Sequence, residues 1–196
     1  MRYMAIIPFA ALAPAVLLAA CGGGDVSVKN ASVEEVAKKV AEAGGTRFTP
    51  GKWETTVQTV SVDIPGMPAE MKKQMTDAML SKTETSTSCI TEEQAKNPPA
   101  QVLAATQGKC KYDNFTMADG KIDGTLVCPA QGMAGEMKMR MAGTFDGESF
   151  ATENEMNVSA PGGQGMHIKA KTIGKRIGEC TDAEKKAANE ALKKAA

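Results

Sequence analysis

The sequence predicts a mainly β domain with short helices, an α+β fold whose antiparallel meander curls as an open barrel or wraps a helix. Three observations predict it. From Phe48 onward apolar residues recur with a period near two in short runs, and Gly, Pro, Asn and Asp punctuate those runs at regular intervals. Four cysteines fall within or beside them, enough to staple the sheet with disulfides. Helical periodicity is confined to brief segments, three of them with Ser or Thr starts.

The chain has 196 residues, one ordinary domain with short appendages, and balances 23 basic against 23 acidic side chains. A nucleic-acid partner is excluded by that neutrality and by having only one Trp, two Tyr and five Phe, since such a partner calls for a basic excess and stacking aromatics.

The first segment is a targeting signal. Arg2 precedes the apolar run Met4–Leu18, which Pro8 and Pro14 interrupt and which is too short for a good membrane span. It ends Leu18, Ala19, Ala20, Cys21, a string that resembles the lipobox of bacterial lipoproteins. The resemblance implies a signal peptide over residues 1–20, cleavage before Cys21, and lipidation (palmitate among the acyl groups) of that cysteine. Gly22 rather than Asp follows, which by the enteric sorting rule favours the outer over the inner membrane. Residues 21–31 are expected as the lipidated Cys and a flexible tether.

Residues 32–45 read as a short helix. Ser32 and Glu35 form a capping box, Val33, Val36, Ala37 and Val40 make one stripe, and Gly44 and Gly45 stop it. The stripe lacks the aromatics and basic flank of an interfacial anchor, so it is expected to dock on its own domain.

The β-rich domain is expected over residues 46–180. Residues 52–64 form a strand with Trp53, Thr55 and Val57 on one face. Val60, Val62 and Ile64 follow in the other phase, which a bulge explains. After Pro65, Gly66 and Pro68, the spacing of Met71, Met75, Ala78 and Met79 makes a helix expected to pack on the sheet, with a mobile lid over a hydrophobic ligand as the alternative. Residues 82–90 read as a strand, and Thr91 and Gln94 cap a brief helix that Pro98 ends.

A hairpin follows over residues 110–128. A three-residue loop, Ala118–Gly120, would pair Met117 with Lys121, Thr116 with Ile122 and Tyr112 with Leu126, and would bring Cys110 opposite Cys128. If those two join, Cys89 must join Cys180. No pair has C-x-x-C spacing, which disfavours thioredoxin-type chemistry and a zinc ribbon. A strand through Met137, Met139 and Met141 before a turn at Asp146 and Gly147, and strands over 150–158 and 166–173, complete the meander, and Thr181 and Glu184 cap an Ala-rich and Lys-rich helix over residues 181–196, expected to dock weakly.

Pro50, Gly51, Lys52, Trp53, Glu54; Cys89, Ile90, Thr91, Glu92; Cys110, Lys111, Tyr112; the Gly120 turn before Cys128; and Gly178, Glu179, Cys180 occur in that order. Together they resemble an uncharacterised family of Gram-negative envelope proteins, a domain of unknown function with an early PG-x-W-E and later spaced cysteines. The resemblance spans about residues 48–180 and implies a periplasm-facing, β-rich domain. It supplies no catalytic residues.

An enzyme is not expected. The chain holds no G-x-S-x-G, H-E-x-x-H or Walker string, and Glu153 and Glu155 at i, i+2 read as a solvated face. No cofactor is expected. The preferred function is a noncatalytic, lipid-anchored envelope domain that binds a hydrophobic ligand or another envelope component, reaching the membrane through its anchor. A soft-metal protein is the alternative: Met137, Met139 and Met141 alternate with Lys138 and Arg140 as M-x-M-x-M, and their thioethers, with His167, would suit Cu(I) or Ag(I).

Overall fold

The computed structural model describes residues 24–45, 48–96, 109–129, 135–159 and 165–195. Cys21 and the expected signal segment lie outside them. Eight strands form one antiparallel sheet: β1 (Val26–Ser32), β2 (Gly51–Asp63), β3 (Thr83–Ile90), β4 (Lys111–Ala118), β5 (Lys121–Pro129), β6 (Glu136–Phe145), β7 (Ser149–Ser159) and β8 (Gly165–Gly178). Their spatial order is β1-β4-β5-β6-β7-β8-β2-β3. Strands β4 to β8 are the meander. β1 joins one side of it and the β2–β3 pair the other, and the sheet stays open because β1 and β3 end as its two edges. Among the described residues four helices accompany it: α1 (Val33–Glu42), α2 (Ala69–Leu80), α3 (Glu92–Lys96) and α4 (Asp182–Ala195).

The expected flexible tether is corrected. Residues Val26–Ser32 pair with β4, placing Val26 opposite Met117 and Val28 opposite Phe115. The alternation of Val26 and Val28 was a strand signal hidden in a polar run, and both side chains are buried. Ser32 then caps α1, its hydroxyl accepting the Glu35 N–H at 3.1 Å. Val33, Val36 and Val40 are nearly inaccessible and pack with Tyr112, Phe115, Met117 and Leu126. The helix that fills the core is therefore α1 and not the Met-bearing α2.

The hairpin register is also corrected. Its loop has two residues, Asp119 and Gly120, both with positive φ (49° and 70°), as a type I′ turn requires. Ala118 thus faces Lys121, and Met117 rather than Thr116 faces Ile122. The ladder then slips by one residue between Tyr112 and Asn114, so that Tyr112 faces Leu126 after all. Asp113 is the extra residue of a bulge. It lets Tyr112, Phe115 and Met117, all buried, face the core despite their uneven spacing. In β2 the register likewise shifts between Thr59 and Ser61, which returns Val62 to the face of Trp53 and Val57 and leaves Val60 exposed.

Two disulfides staple the sheet. Cys110 is bonded to Cys128 and Cys89 to Cys180, with Cα atoms 4.3 and 5.7 Å apart. The second ties edge strand β3 to Cys180, two residues before α4 begins.

Candidate functional site

In an antiparallel ladder, residues directly opposite one another project from the same face. Following the registers across the sheet gives one row: Tyr112, Leu126, Met139, Met156, Ile168 and Val62 lie side by side on β4, β5, β6, β7, β8 and β2. The next row toward the β6 start holds Cys128, Met137, Val158 and Met166. At the β4–β5 side these rows are sealed by α1, where Leu126 and Cys128 are buried. Across β6, β7 and β8 the Met, Val and Ile side chains are half-buried. These side chains form an incompletely covered apolar part of the inner face, which Val57 on β2, 37 % exposed, continues.

Two other tiers lie along the same face. One step toward the opposite end of the strands, Asn154 donates from Nδ2 to the hydroxyls of Thr152 and Thr172 at 3.2 and 3.0 Å. Beyond that, Phe48, Trp53, Phe145 and Phe150 form an aromatic cluster with centroid separations of 5.2 to 6.2 Å. Trp53 is 1 % exposed and donates its indole N–H to the Thr49 carbonyl at 3.1 Å. Phe150 lies over Gly174, where a Cβ would come within 2.0 Å of the ring.

The other face of the sheet is a charged lattice. Lys138 pairs with Asp113, Arg140 with Asp123, and Lys171 with Glu153. His167 belongs to this face: it is aligned with Asn157 and through it with Lys138, and its Nε2 lies 2.7 Å from Glu155 Oε1. That hydrogen bond, followed by the nearby Lys169 charge, holds the Glu155 carboxyl below the usual carboxylate range. Lys72 does the same for Asp63, opposite His167.

The methionine metal site is corrected accordingly. Met137, Met139 and Met141 share the inner face, whereas His167 projects from the outer one, with the sheet between them. The sequence reading missed Met156 and Met166, which join the β6 methionines. Their own alternation with Val158 and Ile168 was visible, but only the hairpin registers place them beside β6.

Helix α2 departs from expectation too. Met71 is 57 % exposed and Met75 39 %. Met79 is half-buried, and the side of α2 turned inward carries Lys72, Thr76 and Met79. Helix α2 lies against β2, and Lys72 on its inward side pairs with Asp63, whereas Met71 and Met75 fall to one side of that contact. Of the lid candidates, Met71 and Met75 are thus turned to solvent, and Met79 alone is half-buried.

A family model matches residues 48–180, that of the proteins of unknown function DUF3617. The chain belongs to the DUF3617 family. No curated protein and no solved structure matches it. The residues matched to DUF3617 contain β2 to β8, both disulfides and every methionine of the inner rows, while β1, α1 and α4 lie outside the match. The DUF3617 core of this chain therefore borrows its apolar plug, α1, from a segment preceding the matched residues.

Proposed function

We propose that this protein is a noncatalytic, lipid-anchored component of the bacterial cell envelope that holds a hydrophobic ligand on its methionine-lined inner face. One observation carries the reading: an apolar row runs across six strands and is half-uncovered where methionines occupy it. Thioether side chains are flexible and polarisable, which suits surfaces that accept varied apolar shapes. The anchor rests on the Leu18-Ala19-Ala20-Cys21 string, and Gly22 favours delivery to the outer membrane with the domain facing the periplasm. The absence of any recognisable catalytic string supports a binding role. The test is to extract the native protein in mild detergent and identify copurifying lipids by mass spectrometry, beside a Met156→Asp variant. An apolar ligand present in the native protein and lost from the variant is expected. An apolar ligand retained by the variant, or a protein that carries none, would overturn the assignment.

A second reading, a Cu(I) or Ag(I) site, is favoured by the direct apposition of Met139 and Met156, with Met137 and Met141 on the same face. Stoichiometric Cu(I) retained by the native protein and lost from a Met139→Leu, Met156→Leu double variant would select it.

A further inference from the structure

The anchoring cysteine and the first strand are joined by a very short link. Only Gly22 and Gly23 stand between Cys21 and Gly24 in the sequence. Gly24 is already fixed to the domain: its N–H donates to the Ala43 carbonyl at 3.2 Å, and two residues later Val26 enters β1 opposite Met117. Consecutive Cα atoms are about 3.8 Å apart, so Cys21 lies within about 11 Å of Gly24 whatever path the chain takes between them.

The registers say which end of the domain this is. Val26 and its partner Met117 lie beside the β4–β5 turn, and the Phe145 N–H donates to the Gly120 carbonyl, which brings the β6–β7 turn, residues 146–148, to the same end. The methionine rows lie elsewhere. Ala31, Tyr112, Leu126, Met139 and Met156 share one row, five residues along β1 from Val26. A strand rises about 3.3 Å per residue, which puts that row about 17 Å from the Gly24 end. The row of Met137, Val158 and Met166 is farther still.

We infer that this short leash holds the β4–β5 and β6–β7 turns against the headgroups of the anchoring membrane, with the methionine rows turned away from it. The inference rests on the lipid-anchored reading and adds the surface that meets the lipid. The exposed residues of the two turns include Asp119, Asp146 and Glu148, acids that are costly to place among acyl chains, so this end meets the headgroups and does not insert. Asp146 also accepts the Glu148 and Ser149 N–H groups at 2.8 and 2.6 Å, which stiffens its turn. A ligand on the methionine rows is thereby held on the aqueous side of the headgroups.

The test is to reconstitute the acylated protein in phosphatidylcholine vesicles carrying a headgroup-linked nitroxide quencher. A fluorophore is placed on a cysteine introduced by Asp119→Cys or, at the opposite end of the sheet, by Ser159→Cys, and intact mass establishes the acyl group on each sample. Quenching at least threefold stronger at position 119 than at position 159 is expected. A Gly-Ser spacer of about twelve residues inserted between Gly22 and Gly23 is expected to bring the two positions level, because the leash then exceeds the height of the domain. Asp146→Cys serves in place of Asp119→Cys should that variant fail to fold. Equal quenching at the two ends of the acylated protein, stronger quenching at position 159, or a difference that survives the spacer would overturn the inference and leave the anchor standing. A native protein without the acyl group would overturn the anchor, and the inference with it.

Discussion

Cys110 and Cys128 face each other across the β4–β5 hairpin with Cα atoms 4.3 Å apart, and the bulge at Asp113 is what aligns them. The two-residue turn alone would set the register one residue off, with the two cysteines on opposite faces of the sheet. Nonreducing peptide mapping of the oxidised protein recovers Cys110 linked to Cys128 and Cys89 linked to Cys180. The loops closed span 18 and 91 residues. Chain entropy makes removal of the longer link cost about 4.5 kcal/mol and of the shorter about 3 kcal/mol. A Cys89–Cys110 peptide, or a larger loss on removing the shorter link, would contradict this.

Gly120 has φ of 70°, and a Cβ there would stand 2.9 Å from the Phe145 carbonyl oxygen. Gly120→Ala therefore meets both the left-handed backbone penalty and a close contact, and loses about 1–2 kcal/mol in urea unfolding. An unchanged midpoint would show that the turn is not type I′.

Met71 and Met75 contribute little to the core, because α2 turns them to solvent. Each change to Ala shifts stability by no more than about 0.5 kcal/mol. Val36→Ala in α1, at a position 2 % exposed, costs about 2 kcal/mol. Thermal unfolding of the three variants side by side decides whether α1 or α2 is the packed helix.

The hydrogen bond from Lys52, followed by those from the Thr181 N–H and hydroxyl, pulls the Glu184 pKa from its ordinary 4.5 to about 2. A folded-state pKa below the unfolded one means that the stabilisation is complete above pH 4.5 and disappears as pH falls toward 2. Across that window Glu184→Gln loses stability less steeply than the parent protein, as measured by urea unfolding at stepped pH. Parallel curves would show that the Lys52 contact is not kept in solution.

Acyl labelling tests the anchor. Cys21→Ala abolishes incorporation of labelled palmitate and leaves the protein soluble or unprocessed. Label still entering the variant would remove the lipoprotein assignment.

The local signals in this chain were strong enough to specify its pieces. Ser32 with Glu35 and Thr181 with Glu184 marked helix starts, the phase change along 52–64 marked the β2 bulge, and strand alternation marked the mainly β class. Each depends on residues within a few positions of one another, so the sequence alone contains the information. The tether that proved to be β1 carried such a signal in Val26 and Val28, too short to stand out from its polar neighbours. What only the tertiary structure decided are relations between distant segments. Met156 stands beside Met139, His167 lies across the sheet from the methionines, and α1 and not α2 fills the core. A one-residue change in register moves every side chain of a strand to the other face, and the way a helix lies against the sheet decides which of its sides is covered. Period and spacing say that a face is apolar. Only the pairing of strands says what it faces.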